Sequence, residues 1–178
     1  MLSDVDLMLK VHEGQTDKLA LLFERYNKPL FSYFYRYCGR QDVSEDLVQN
    51  VFYRILKYRK DYNGSGKFTT WMYKIAHNLA IDYYRKHGRH QFHDVDRLVD
   101  ENEDTADKAL IKKEEIRFLR QALDQLKPHE REVLILSKYQ ELTYKEIGSI
   151  LNSPEGTIKA RVFRAIKSLK EIYGVLER

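Results

Sequence analysis

Apolar residues recur at three- and four-residue steps along most of this chain and no two-residue alternation persists, so the pattern predicts an all-α protein. A short helix from about Asp4 to His12 should stop at Gly14. Thr16 then opens a longer one through Tyr37, with Leu19, Leu22, Phe23 and Tyr26 on one side and Cys38-Gly39 at its end. Asp42 and Glu45 have the spacing of a capping box, and behind them Leu47, Val48, Val51, Phe52, Ile55 and Leu56 mark an amphipathic helix to about Tyr58. Lys60 to Lys67, with Gly64 and Gly66, reads as a loop. From Phe68 to about Lys86 the helical period returns at Trp71, Met72, Ile75, Leu79 and Ile81. Two further helices lead towards the C-terminus: Ala109 to Leu126, with Ile116, Leu119, Leu123 and Leu126 in register, and Pro128 to about Tyr139.

Leu142 to Ala165 then has the form of a helix-turn-helix. Thr143 and Glu146 make a capping box, Ile147, Ile150 and Leu151 give a short first helix its apolar stripe, and Asn152 marks the turn. Ser153 reads as the N-cap of a second helix, with Pro154 at its first position, where the missing N–H is harmless. At about 100° per residue, Ile158, Val162, Ala165, Ile166 and Leu169 share one side of that helix. Gly156, Lys159, Ala160, Phe163, Arg164 and Lys167 share the other. This outward face is basic, carries no carboxylate and presents an aromatic ring. It suits a helix entering a DNA major groove, where cations meet phosphates and base edges; an amphipathic packing helix is the alternative. Arg161 lies on the flank, in a position suited to a phosphate.

Charge divides the chain. Between His93 and Lys108 seven acidic residues stand against Arg97 and Lys108, which marks a linker. The expected organisation is a helical domain over 1–92, an acidic linker over 93–108 and a second helical domain over 109–178. The net charge of +4 over 178 residues suits a polyanion without establishing one. More telling, Leu142 to Arg178 holds seven Lys or Arg against four Glu, most of the cations on the reading helix.

Little else in the sequence carries chemistry. The lone Cys38 excludes an internal disulfide and a CxxC pair, and reads as core. His87, His90 and His93 recur every three residues, but their direction drifts around a helix and neither Cys nor carboxylate completes a metal set. Gly64-Ser65-Gly66 is too short for a dinucleotide loop. The expectation is a non-enzymatic protein with no cofactor and no metal. No apolar stretch approaches the roughly 18 residues of a membrane span and no charged leader precedes an apolar run, so it should be soluble, cytoplasmic and not inserted in a membrane.

Three motifs in order resemble the extracytoplasmic-function (ECF) group of the sigma-70 family of bacterial transcription initiation factors. Asp42-Val-Ser-Glu-Asp-Leu-Val-Gln-Asn-Val-Phe52 is similar to the region 2.2 helix, Lys67-Phe-Thr-Thr-Trp-Met-Tyr-Lys-Ile-Ala-His-Asn-Leu-Ala-Ile-Asp82 to regions 2.3 and 2.4, and the helix-turn-helix to region 4.2. The resemblance covers nearly the whole chain. It implies a promoter-specificity subunit whose first domain docks on the β′ clamp helices of core RNA polymerase and reads and holds open the −10 element. The second domain would pack near the β flap and read the −35 element. Asp46, Gln49, Asn50 and Arg54 become the polymerase contact, although composition alone reads that surface as a solvated helix face.

Holding an opened strand asks for a base pocket and backbone cations. The resemblance places these at Tyr62, Asn63, Gly64, Ser65 and Lys67, with Asn78 at the pocket edge. Glycines admit close approach of the backbone, and Asn offers a donor and an acceptor together. Trp71 reads as core rather than as a melting wedge, and Tyr83, Tyr84, Arg85, Lys86 and Arg89 suit the nearby phosphates. At −35 the matching positions are Lys159, Ala160, Phe163 and Arg164, flanked by Arg161 and Lys167. Here the chain departs from a common pattern: Lys159 stands where Arg is frequent and Ala160 where a small polar residue is frequent. An ammonium lacks the planar guanidinium fork, and Ala offers a thymine methyl only apolar contact. The acidic linker fits a basic polymerase channel and equally a solvated tether. An anti-sigma factor is implied as a further partner by analogy. A freestanding helix-turn-helix regulator would need a dimer seam that the sequence lacks, and a sigma mimic that only sequesters an anti-sigma factor would not need the basic reading face.

Overall fold

The structure is a computed structural model that describes residues 2–88 and 106–176, the side chains of 106–113 excepted. Arg89, His90, His93 and linker positions 93–105 lie outside the described residues. Among those described there are eight α-helices and no strand, as the periodicity predicts. Helices α1 (Asp4–His12), α2 (Leu19–Cys38), α3 (Gln41–Lys57) and α4 (Phe68–His87) form the N-terminal unit. The C-terminal unit comprises α5 (Ala106–Gln125), α6 (Pro128–Leu134) with a π-helical continuation (Ile135–Tyr139), α7 (Tyr144–Ile150) and α8 (Glu155–Leu176).

The N-terminal unit is built on the predicted apolar faces. Leu22, Leu30, Tyr33 and Phe34 of α2, Val51 and Ile55 of α3, and Phe68 and Met72 of α4 are all at most 1% exposed. Each buried side chain of this size contributes about 1.5–3 kcal/mol. The α2–α3 corner turns at Gly39, whose φ of 72° is the left-handed conformation of a helix C-cap. Cys38 lies in this core as expected. Its thiol donates to the Phe34 carbonyl, and burial pushes its pKa up. Two local expectations fail. The Asp42/Glu45 capping box does not form, because Arg40 takes Asp42 in an ion pair and the Gln41 amide donates to Glu45. Ser153 does not cap α8 with its side chain; its hydroxyl donates back to the Leu151 carbonyl.

In the C-terminal unit the helix-turn-helix is held by the predicted Thr143/Glu146 capping box and by a tight turn at Asn152, φ 48°. Gly148 is where α7 meets the chain entering α8. A Cβ placed there would sit 2.6 Å from the Ser153 carbonyl oxygen. Backbone atoms cannot swing aside as a side chain would, so Gly148→Ala should destabilise this unit by about 1–3 kcal/mol, read as a lower urea midpoint at unchanged m-value.

The two units are not apart; they share an interface with a polar centre. Glu132 of α6, 4% exposed, accepts from the Tyr33 hydroxyl at 2.7 Å, and its Oε1 lies 2.6 Å from Nδ1 of His77. Arg131, 3% exposed, donates to the Tyr37 carbonyl across the interface and to the Leu123 and Asp124 carbonyls within its own unit. Tyr73 donates to Gln140, and Gln140 donates to the Pro29 carbonyl. Burial holds the Tyr33, Tyr37 and Tyr73 hydroxyls protonated, far above the ordinary phenol range.

Candidate nucleic-acid interface

Helix α8 presents the face that its periodicity predicts. Ile158, Val162 and Ala165 are buried against α5, α6 and α7, while Lys159, Ala160, Phe163, Arg164 and Lys167 are exposed. Phe163 is 73% exposed, an arrangement that disfavours a helix meant to face only water. A shallow groove of about 520 Å³ runs past Tyr144, Gly156, Lys159, Ala160, Phe163 and Arg164. Arg161 points elsewhere: it is half-buried and lines the cleft between the units with Tyr37, His77 and Arg85.

The loop before α4 faces the other unit. Lys67 pairs with Glu146 at 2.8 Å, and Ser65, Gly66, Lys67, Trp71 and Lys74 form one wall of a cleft of about 610 Å³ whose other wall is Thr143, Lys145, Glu146 and Ser149. Asn63 and Ser65 form a local turn in which the Asn63 side-chain oxygen Oδ1 accepts from the Ser65 backbone amide and hydroxyl. Tyr62 does not reach the surface. It is 3% exposed, packs its ring 5.2 Å from Trp71 and 6.3 Å from Phe68, and supports the loop from beneath. Trp71 is half-buried in that cluster, so it packs as expected while one edge borders the cleft. Asn78, Arg85 and Lys86 are exposed along α4, with Arg85 in an ion pair with Asp82. His87 stacks on Tyr83, and among the described residues no cluster of His, Cys, Asp or Glu could hold a metal.

Glu146 links the loop to the helix-turn-helix. Burial pushes its pKa up, but the bonds from Lys67 and Thr143 outweigh burial and hold it below the ordinary 4.5. A depressed carboxylate contributes stability above its ordinary value and loses it as pH falls through the lowered one. Acidification below about 4.5 should therefore release both the Lys67 pair and the α7 cap. The effect is small, because the Lys67 side chain is 71% exposed. Denaturation midpoints followed against pH should show this step in the native chain and lack it in Glu146→Gln.

Elsewhere in the N-terminal unit, Asp46, Gln49 and Asn50 are exposed and Arg54 half-buried along one face of α3. Two features here escaped the sequence reading. Tyr53, 63% exposed, stands beside those residues, and an apolar groove of about 610 Å³ between α2 and α3 is lined by Phe23, Phe31, Val48 and Gln49. The spacing of Phe23 and Phe31, two turns apart on α2, was the available signal.

Comparison with known proteins finds two sigma-70 regions in the chain. Residues 22–90 match the sigma-70 region 2 family and residues 122–171 match sigma-70 region 4. The ECF RNA polymerase sigma-E factor of Escherichia coli (strain K12) is 31% identical over 94% of this chain and 93% of its own length. RNA polymerase sigma factor YlaC of Bacillus subtilis is 30% identical over 87% and 91%. The chain belongs to the ECF group of the sigma-70 family. It is thus a promoter-specificity subunit of bacterial RNA polymerase, one that recognises −35 and −10 elements and helps open DNA for transcription initiation. The fold of this sigma factor is also that of solved relatives. CnrH, in complex with the cytosolic domain of CnrY, aligns over 97% of both chains at TM-score 0.76 and 19% identity. The sigma factor RpoE of Bartonella quintana, in complex with the anti-sigma factor NepR, aligns over 88% of this chain and 96% of its own at 0.71 and 21%. No helix among the described residues is long and apolar enough to cross a membrane.

Proposed function

We propose that the exposed α8 face carries −35 recognition, with Arg164 reading bases, Lys159 and Lys167 on phosphates, and Ala160 and Phe163 making apolar contacts. The observation that carries this reading is a basic groove whose lining holds no carboxylate, with a 73% exposed Phe163 on it. Asn63, Gly64, Ser65, Lys67 and Asn78 capture the opened −10 strand, with Arg85 and Lys86 on its backbone. Tyr62 serves that loop from the core. Asp46, Gln49, Asn50 and Arg54, joined by Tyr53 and the α2–α3 groove, meet the β′ clamp helices, and the C-terminal unit lies near the β flap. The protein acts in the cytoplasm and contributes no catalytic group, since the polymerase supplies nucleotidyl transfer. Two solved neighbours are complexes, one of them with an anti-sigma factor, which supports an anti-sigma factor as this chain's regulator too.

The described arrangement is a closed form. Elements about 25 base pairs apart lie about 85 Å apart along the duplex at 3.4 Å per base pair. A compact chain of this length has a radius of gyration of about 16 Å. Both elements are therefore engaged only when the units separate. Moreover, while Lys67 is paired with Glu146 the carboxylate offsets its charge and weakens its hold on a phosphate.

The test is run-off transcription from a promoter-rich DNA pool with this protein, core polymerase, or both. Transcripts from a discrete promoter set in the mixture alone support the reading. Sequence-specific DNA binding by the protein alone, independent of polymerase, would replace it with a freestanding regulator.

A further inference from the structure

The loop that carries Asn63 to Lys67 has little to hold it in shape from within. It begins in a single 3₁₀ turn (Arg59–Asp61), its one internal polar motif is the Asn63–Ser65 turn, and Gly64 and Gly66 both have positive φ, 75° and 81°. Two glycines and one Asx turn leave such a segment many conformations of similar energy. Beyond the buried Tyr62 beneath it and the Lys67–Glu146 pair at its far end, its fixed points come from α1. Nδ1 of His12 lies 3.1 Å from the Arg59 carbonyl oxygen at the loop's entry, and because a carbonyl only accepts, that nitrogen carries the hydrogen. Leu9 lies directly beneath the loop's apex: a Cβ built on Gly64 would sit 3.3 Å from Leu9 Cδ2.

Leu9 and His12 are three residues apart and so share one face of α1. The other face is locked into the body of the protein. Leu7, Met8 and Val11 are fully buried, and Asp4 binds Arg25 at 2.6 Å and accepts from the Tyr26 hydroxyl. Ser3 and Asp6 close a capping box that fixes where the helix starts. A rigid helix thus has one side in the core and the other under the loop. The segment matching region 2 begins only at residue 22, so α1 lies outside it.

We propose that α1 is a brace for the strand-capturing loop, and that Leu9 and His12 are positioning residues that hold it in its binding shape before DNA arrives. This rests on the assignment of that loop to the opened −10 strand. A segment already ordered loses less conformational entropy on binding, so the brace raises affinity without touching DNA. Leu9 supplies an apolar floor whose height sets how deep Gly64 sits. His12 fixes the end at which the chain leaves α3.

The test uses the full chain with core polymerase on a linear promoter, and follows permanganate reactivity of opened thymines. In Leu9→Ala the affinity for core polymerase should be unchanged and opening should fall about tenfold. The ratio of opening between the native −10 element and one with its flipped base substituted should shrink. Leu9→Met, which refills the space, should restore both. His12→Leu, which removes only the bond to Arg59, should reproduce the defect in milder form. Native opening and base discrimination in folded Leu9→Ala, or a parallel loss of polymerase binding that marks general misfolding, would overturn the brace. Lys67→Ala and Asn78→Ala in the same assay separate the two levels. If they impair opening and Leu9→Ala does not, the brace alone is wrong. If they too leave opening intact, the loop is not the strand site and the brace falls with it.

Discussion

Glu132→Ala should raise the affinity of the free protein for a single-stranded −10 oligonucleotide by tenfold or more. Its carboxylate is the acceptor at the centre of the interface, bonded to Tyr33 of α2 and facing His77 of α4. Hydrogen bonds to a charged group contribute about 1.5–3 kcal/mol each, and truncating one partner leaves the others buried without an acceptor. Those orphans are penalised only in the closed form, because separation returns Tyr33 and His77 to water. A shift of about 1.4 kcal/mol is a tenfold change in the closed-to-open ratio. All the described partners of the Glu132 carboxylate lie in the N-terminal unit, so the C-terminal unit should keep its own stability. Fluorescence anisotropy on the oligonucleotide, paired with energy transfer between dyes on α3 and α8, measures both steps. Unchanged affinity with unchanged energy transfer would mean that the interface does not govern access to the loop. Tighter binding that survives Lys67→Ala would mean that the oligonucleotide binds elsewhere.

A polar interface of this kind suits units that must part. A wholly apolar contact would expose its area to water on opening, at about 25 cal/mol per Å². Here Glu132, Arg131, Tyr33, Tyr73 and Gln140 all find water as an alternative partner once separated. On the proposed −10 assignment Lys67 would gain more than water, since a promoter phosphate would replace the Glu146 carboxylate that it leaves. The opened strand would then favour separation.

What the sequence disclosed and what it hid follow one physical division. The α8 face was legible because burial of Ile158, Val162 and Ala165 at helical spacing fixes by geometry where Lys159, Phe163 and Arg164 must point. The Thr143/Glu146 box was legible because both partners are local and nothing competes for them. The Asp42/Glu45 box has the same spacing and failed because Arg40 and Gln41, immediately before it, offered stronger partners. Tyr62 stood among the expected DNA contacts because the resemblance assigns its glycine-containing loop to the opened strand. Only the folded chain brings Phe68 and Trp71 over its ring and buries it. The interface was hidden most completely. Arg131 and Glu132 sit in an ordinary polar stretch of α6, and their partners Tyr37 and Tyr33 lie 94 and 99 residues away. No local periodicity encodes such a pair. Gly64 misled in a subtler way: a glycine suggests that something approaches the backbone closely, and in the folded chain the near neighbour is Leu9.

Arg164→Ala and Lys159→Ala should weaken −35 recognition in different ways, and the difference separates base reading from phosphate binding. An Arg bidentate to a guanine contributes about 1–3 kcal/mol of discrimination, so Arg164→Ala should cost roughly 5- to 150-fold on the native −35 element and much less on one already substituted at the contacted base. A Lys on a phosphate carries no sequence information. Lys159→Ala should weaken native and substituted elements alike and lower the slope of log affinity against log salt by about one. In the free protein Arg164 folds back so that Nε donates to the Ala160 carbonyl at 3.4 Å, a long bond that is readily exchanged for a base edge. Phe163 and Ala160 beside it present only apolar atoms, which favours a thymine methyl next to the contacted base. Holoenzyme binding titrated over several salt concentrations, on native and singly substituted promoters, resolves the two behaviours. If Arg164→Ala instead acts uniformly across sequences and changes the salt slope, Arg164 is a phosphate clamp. The base reading must then come from elsewhere on α8, with Lys159 the remaining cation facing the groove.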